Sequence, residues 1–293
     1  GSPIAGGHGM TDIAGGKVPI LECVKVSWTF LFQHWRMFVP AALVVGVIGG
    51  LSTVMLPSSG GLSATPALGP VLLSVLSSIL AGVVFTAAVL RKAVRNEFRG
   101  PAGLGLGVDE MRLLGVLGSL ILLIFPVVFL FLMVLSVYIF SRLGMTEQQV
   151  EAMSNDPEAL AKALIEALGP TGILAMYALF FLGVALLVYV LAKLFLVNAA
   201  TIGEKKVVFF QTWSWSKGNT YRVILAMLLT SLPAAGVNYV LQSLAASVAG
   251  AGAVAVIAVS AATAFVAALL SIPQIALGAH LYKGLRPAGF VAK

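Results

Sequence analysis

The 293-residue chain reads as an all-α integral membrane protein, with six transmembrane helices forming three hairpins, each preceded by a cytoplasmic interfacial segment. Three observations predict this. First, 59% of the residues are apolar and 10% are charged, where a soluble domain carries roughly 25% charged residues. Second, the runs 37–55, 67–90, 113–141, 171–192, 223–248 and 252–279 contain no Asp, Glu, Lys, Arg or His. About 20 such residues in a helix cross a hydrocarbon core of about 30 Å. Third, 16 of the 18 Lys and Arg residues fall in alternate connections, which the positive-inside bias assigns to the cytoplasm together with both termini.

Residues 1–9, "GSPIAGGHG", read as an expression remnant with the native start at Met10. Residues 10–36 lack the compact apolar core and small-residue cleavage site of a signal peptide. Within them Ile20, Cys23, Val24, Ser27, Leu31 and Trp35 share roughly one helical face, as a helix lying in the interface would. In span 1, Gly46 and Gly50 form a GxxxG pair, a common device for close helix packing.

The connection after span 2 carries Arg91, Lys92, Arg95, Arg99 and Arg112. Its "GPAGLGLG" at 100–107 has neither the GK[ST] of a Walker loop nor a preceding strand, so a flexible turn is expected. Asp109 and Glu110 beside Arg112 read as a surface charge cluster at a helix start.

Span 3 leads into 142–170, the one long extracytoplasmic connection, which holds five of the eleven acids. Asn155, Pro157 and Glu158 suit a helix start. Leu160, Leu164 and Leu168 then recur every four residues until Gly169-Pro170. An amphipathic helix over about 157–168 is expected, lying across the outer mouth.

Span 4 is followed by Lys193, Lys205, Lys206, Lys217 and Arg222, and "VAGAG" at 248–252 supplies the turn between spans 5 and 6. The tail, 280–293, adds Lys283, Arg286 and Lys293.

"KVSWTFLFQHWRMFVP" ahead of span 1 and "QTWSWSKGNTYRVILA" ahead of span 5 share a Ser-Trp step, a later aromatic and an Arg, and hold all four tryptophans. Arg36, Arg112 and Arg222 mark the three entries from the cytoplasm, the second without aromatics. Indole rings favour the headgroup layer and Arg extends to phosphate. The interface candidates are therefore Trp28, Trp35, Arg36, Arg112, Trp213, Trp215, Lys217, Tyr221 and Arg222. Their expected partner is anionic phospholipid, which attracts each basic residue by about 1 kcal/mol. The basic balance is thus a topology signal, and no nucleic-acid partner is expected.

Nothing in the chain assembles a reactive centre. His34 and His280 each stand alone, Cys23 is the sole cysteine, and HExxH, CxxC and GxSxG are absent. No catalytic residue, cofactor or metal is expected, and the protein is read as a non-enzyme. The spans lack the buried charge that usually marks a proton or ion path. Ser231, Asn238 and Gln242 fall on one face of span 5, and span 6 offers Thr263 and Gln274. They could line a polar groove, or hydrogen-bond between helices packed through Ala258, Ala262 and Ala268.

Residues 194–229, "LFLVNAATIGEKKVVFFQTWSWSKGNTYRVILAMLL", resemble the polytopic membrane domain of some bacterial glycerophosphodiester phosphodiesterases. Ser214, Trp215, Lys217, Gly218 and Asn219 carry the likeness, and "LGVDEMRLL" at 106–114 adds to it. The resemblance implies a membrane fold in a bacterial inner membrane. The catalytic TIM barrel of those enzymes is absent, so no catalytic residue carries over.

The expected role is to organise lipid or a membrane-protein partner, a second copy of the chain included, through the cytoplasmic interfacial segments. The alternative is a passive carrier or channel for a lipid-like or neutral solute along the polar face of spans 5 and 6.

Overall fold

The computed structural model describes residues 16–55, 68–100, 102–143, 157–248, 250 and 252–290. The expected remnant at 1–9, Met10, Asn155 and the last three residues of the tail lie outside this set. Among the described residues every regular element is helical. Six helices are long and apolar enough to cross a membrane: Ile20–Thr53, Leu68–Arg95, Val108–Arg142, Ile165–Gly203, Thr220–Ser247 and Ala253–Leu285. Six such helices in a fold that is helical throughout the described residues are consistent with a multi-pass membrane protein.

Helix α1 spans Ile20–Met55. At 1.5 Å per residue it is about 54 Å long, so the expected interfacial helix and span 1 are one continuous element with Pro40 inside. Helix α2, Leu68–Leu90, runs on into a π-helical turn at Arg91–Arg95. Asn96 closes that turn in the left-handed region (φ 55°, ψ 28°), its N–H donating to the Arg91 and Lys92 carbonyls. Asn is among the few residues that visit this conformation readily.

Helix α3 is Val108–Leu143 and α4 is Pro157–Leu194. Gly169 interrupts α4 at φ 61°, ψ 176°, a backbone conformation that a Cβ would forbid. Two short helices follow, α5 (Val197–Gly203) and α6 (Gln211–Trp215), and then the long α7 (Thr220–Ser247) and α8 (Ala253–Leu285).

The chain divides into two compact units, residues 1–116 with 192–293, and residues 117–191. In the smaller unit the Phe131 ring lies where a Cβ on Gly183 would sit, 2.7 Å from the ring. Leu122, Phe125, Leu130, Leu174, Phe181 and Leu182 of that unit are exposed, an exterior suited to acyl chains rather than water.

The larger unit is organised by α1 against α8. A Cβ on Gly49 would stand 2.5 Å from the Ala264 Cβ, and one on Gly50 would stand 2.8 Å from the Ala261 Cβ. Gly46 lies against the Ala261 carbonyl and Phe265. The backbones meet because neither side carries bulk, which is how helices associate where no hydrophobic effect drives them together. The GxxxG of span 1 thus packs within the chain against Ala261, and Gly49 beside it packs against Ala264.

Next to this seam Leu31, Phe38, Ala41, Ala42, Phe85, Ala88, Val89, Ala268 and Ile272 form a buried cluster. Phe38 meets Phe85 and Phe98 edge-on at centroid distances of 6.4 and 5.8 Å. The face of α1 that buries Cys23, Ser27 and Leu31 packs against protein, while Trp35, expected on the same face, is 43% exposed.

Candidate functional site

Contacts between distant segments join the basic connections of the larger unit into one polar layer. Its first node is built on the π-helical turn. π-turns are rare and frequently occur at functional sites. Arg91 is fully buried; its guanidinium donates to Glu110 and, at 2.9 Å, to the Gly103 carbonyl.

One turn later Arg95 donates to Asp109 at 2.5 Å and to the Ile202 carbonyl at 3.3 Å. Arg112 reaches the other Asp109 oxygen at 3.0 Å, and Arg99 comes within 3.9 Å.

Glu110 has a second task. It is the third residue of α3, and its Oε2 accepts the Gly107 N–H at 3.0 Å. That is half of a capping box, and it satisfies a backbone donor that the helix start would otherwise orphan.

The structure here corrects the sequence reading. Asp109 and Glu110, expected as a surface cluster, are 3% and 1% exposed. They point to different partners because adjacent residues on a helix diverge, and each partner is an arginine that also needs a counter-charge. Arg112 is drawn inward with them, its side chain 27% exposed. The glycine loop is ordered by the same node. Gly103 gives its carbonyl to Arg91, and its bare Cα faces the Phe98 ring, which a Cβ would overlap.

The second node centres on Glu204. Both of its oxygens accept from Arg286, and Oε1 also accepts the Tyr282 hydroxyl at 2.6 Å. The Glu204 hydrogen bonds hold the Arg286 guanidinium protonated beyond its ordinary range. Gly203 makes room for this, since a Cβ there would overlap the Tyr282 hydroxyl oxygen. The nodes are joined by the Arg95–Ile202 bond and by Lys283, whose Nζ donates to the Ala93 carbonyl at 2.7 Å. Between them lies a cleft of about 330 Å³ lined by Arg95, Glu204, Tyr282, Lys283 and Arg286 among others.

"QTWSWSKGNTYRV" is the third part of the layer, and it divides between packing and exposure. Trp215 is 8% exposed and lies against Tyr282 and Phe290 at 6.1 and 4.9 Å. It is a core residue of the layer, where the sequence reading placed it at the lipid surface. Trp213 is half-buried beneath the Lys193 ammonium, 5.9 Å from its ring.

Asn219 is buried and acts as a clasp. Its Oδ1 accepts the Val18 N–H at 3.0 Å and its Nδ2 donates to the Gly16 carbonyl at 3.2 Å. Arg222 donates to the Val18 carbonyl at 3.0 Å. Residues 16–18 are thereby held on the start of α7, using donors and acceptors that no helix claims. Gly218, at φ 81°, makes the turn between α6 and α7.

The two aromatic stretches that match in sequence therefore differ in backbone. The first lies inside the continuous α1, whereas the second is broken at Gly218.

Other candidates are placed as follows. Trp28 packs against the cluster around Phe38. Lys217 is exposed, and the exposed rings of Trp35 and Tyr221 stand 5.6 and 5.4 Å from the guanidinium groups of Arg36 and Arg222. On the expected polar face Ser231 donates to the Leu228 carbonyl of its own helix at 2.9 Å; Asn238 is half-buried and Gln242 exposed. Thr263 Oγ1 and Gln274 Oε1 are buried without a partner among the described residues. These residues line neither the cleft above nor the surface groove along α3 at Phe129–Ser141.

Among the described residues no group of three or more His, Cys, Asp and Glu could hold a metal ion. Compared with known proteins, the chain matches no family model, no curated protein and no solved structure.

Proposed function

We propose that this is a non-enzymatic membrane protein that holds anionic phospholipid around its basic layer. In this reading the layer faces the cytoplasm of a bacterial inner membrane, with both termini on that side. Organising lipid there, or presenting it to a membrane-protein partner, is its role.

One observation carries the proposal: exposed apolar and aromatic side chains stand directly beside exposed cations. Tyr221 is 61% exposed with the Arg222 guanidinium 5.4 Å from its ring, and Phe210 is 67% exposed. Trp35 is exposed beside Arg36. In water such exposed cation–ring contacts contribute only about 0.5–1 kcal/mol. In a headgroup layer the rings reach the acyl boundary while the cations reach phosphate.

Trp28 and Trp215 support the rim by packing, and Trp35, Arg36, Lys217 and Tyr221 are the groups available to lipid. The test is native mass spectrometry of protein extracted from mixed phosphatidylglycerol and phosphatidylcholine bilayers. Wild type should retain phosphatidylglycerol selectively, and the variant W35A/R36Q/K217Q/Y221A should lose that selectivity. Equal retention by both proteins sinks the proposal.

A further inference from the structure

The ion pairs of the two nodes flank the cleft, and one cation that lines it has no carboxylate partner among the described residues. Among the described residues, Arg91, Arg95, Arg99, Arg112, Lys283 and Arg286 face only Glu97, Asp109, Glu110 and Glu204. Of the cations lining the cleft, Arg95 pairs with Glu97 and Asp109 and Arg286 pairs with Glu204, which leaves the Lys283 charge uncompensated among the described residues. Glu204 is not free to supply more compensation, since both its oxygens are taken by Arg286 and one also by Tyr282.

The uncompensated charge can be located. Lys283 lines the cleft, is exposed, and has one recorded bond, to a neutral carbonyl at 2.7 Å. An ammonium has three donors, so two remain. Arg95 also lines the cleft, and its Nε–H is buried with no partner among the described residues. A volume of about 330 Å³ sits at the small end of ligand pockets.

We infer that this cleft binds a phosphate monoester group, with Lys283 as the principal ligand and Arg95 and Arg286 forming the charged wall. A phosphate monoester carries about −1.5 to −2 charges at neutral pH and offers three acceptor oxygens, which suits an uncompensated ammonium with spare donors between two guanidinium groups. Compact ammonium and planar guanidinium groups are the usual pair for such a group. The Glu204–Tyr282 pair keeps Arg286 fixed at the rim, so the wall is in place before a ligand arrives.

The phosphate can belong to a lipid headgroup or to a soluble molecule, and the inference deepens the lipid reading only in the first case. The full chain is placed in phosphatidylcholine nanodiscs, and two ligands are titrated: phosphatidic acid introduced into the disc, and inorganic phosphate. Wild type should bind at least one. Lys283→Gln should weaken that binding about tenfold or more, Lys283→Arg should restore most of it, and a K205Q/K206Q variant outside the cleft should leave it within about twofold.

Binding of phosphatidic acid alone assigns the site to a headgroup, and binding of both assigns it to the phosphate group whatever its carrier. No binding of either ligand overturns the inference. So does an equal loss in Lys283→Gln and K205Q/K206Q, which would mean diffuse attraction. The rim variant W35A/R36Q/K217Q/Y221A leaves the cleft intact. Its failure to lose phosphatidylglycerol would end the lipid-organising proposal without touching the Lys283 result.

Discussion

Replacing Glu110 by Gln removes one negative charge from the most deeply buried ion pair described and keeps the shape. Arg91 and Glu110 are each about 1% exposed at the side chain. Removing one partner of a buried pair costs about 3–5 kcal/mol, because the other charge stays in a poor solvent. Asp109 lies 3.9 Å from the same guanidinium, and the Gly103 carbonyl still accepts from it. The cost should therefore fall at the low end, about 3 kcal/mol, or about 100-fold in the folding equilibrium.

The Gln carbonyl can accept from either Arg91 or the Gly107 N–H and its NH2 then faces the other, so the loss reports the charge together with one hydrogen bond. The assay is equilibrium unfolding in mixed micelles followed by tryptophan fluorescence. Arg112→Gln is the control, since Arg112 is partly exposed and Asp109 keeps other partners; its cost should be below about 1 kcal/mol. The double variant R91M/E110L leaves no charge stranded and should be more stable than Glu110→Gln alone, despite the lost cap. A Glu110→Gln protein within about 0.5 kcal/mol of wild type would refute the claim that this node is buried and paired.

Gly49→Val should destabilise the α1–α8 seam by about 1–3 kcal/mol or more, because Ala264 occupies the space its side chain needs. Gly82→Ala on α2, where nothing lies within 4 Å, should be neutral or stabilising by up to about 1 kcal/mol; the same unfolding measurement checks both. Trp215→Ala should cost about 3–5 kcal/mol as a buried aromatic, while Trp35→Ala should cost under about 1 kcal/mol and change lipid retention instead. Equal unfolding midpoints for these two variants would contradict their different placement.

The six spans were legible because hydrocarbon imposes one rule on every residue inside it, and that rule leaves long uncharged runs that no local detail can hide. The break at Gly169 was legible too, since Gly-Pro at the end of a leucine repeat of period four has few alternatives. The Lys and Arg distribution says on which side a residue belongs, and no more. Whether Arg91 ends in water, on phosphate or on Glu110 is decided by a partner 19 positions away, and for Arg286 by one 82 positions away. Periodicity does not encode such distances.

One signal was nevertheless available. Glu204 is the only acid after Glu166, and it stands directly before Lys205 and Lys206 among the basic connections. A lone carboxylate at such a place adds nothing to topology. Its presence makes sense only if a particular cation needs it, and Arg286 at the end of α8 is that cation. The same logic applies to Asp109 and Glu110 beside four arginines: adjacency suggested a solvated cluster, whereas each carboxylate has an arginine partner.

The repeat of Ser-Trp and Arg misled for a related reason. Composition was similar in the two stretches, but Gly218 gives the second a turn that the first lacks. That turn sends Trp215 inward and frees Asn219 to hold the backbone of residues 16–18. A membrane protein needs its basic residues on one side for orientation. Once there, they are also the only material from which an ordered polar layer can be built, and the few acids decide which of them remain for a ligand.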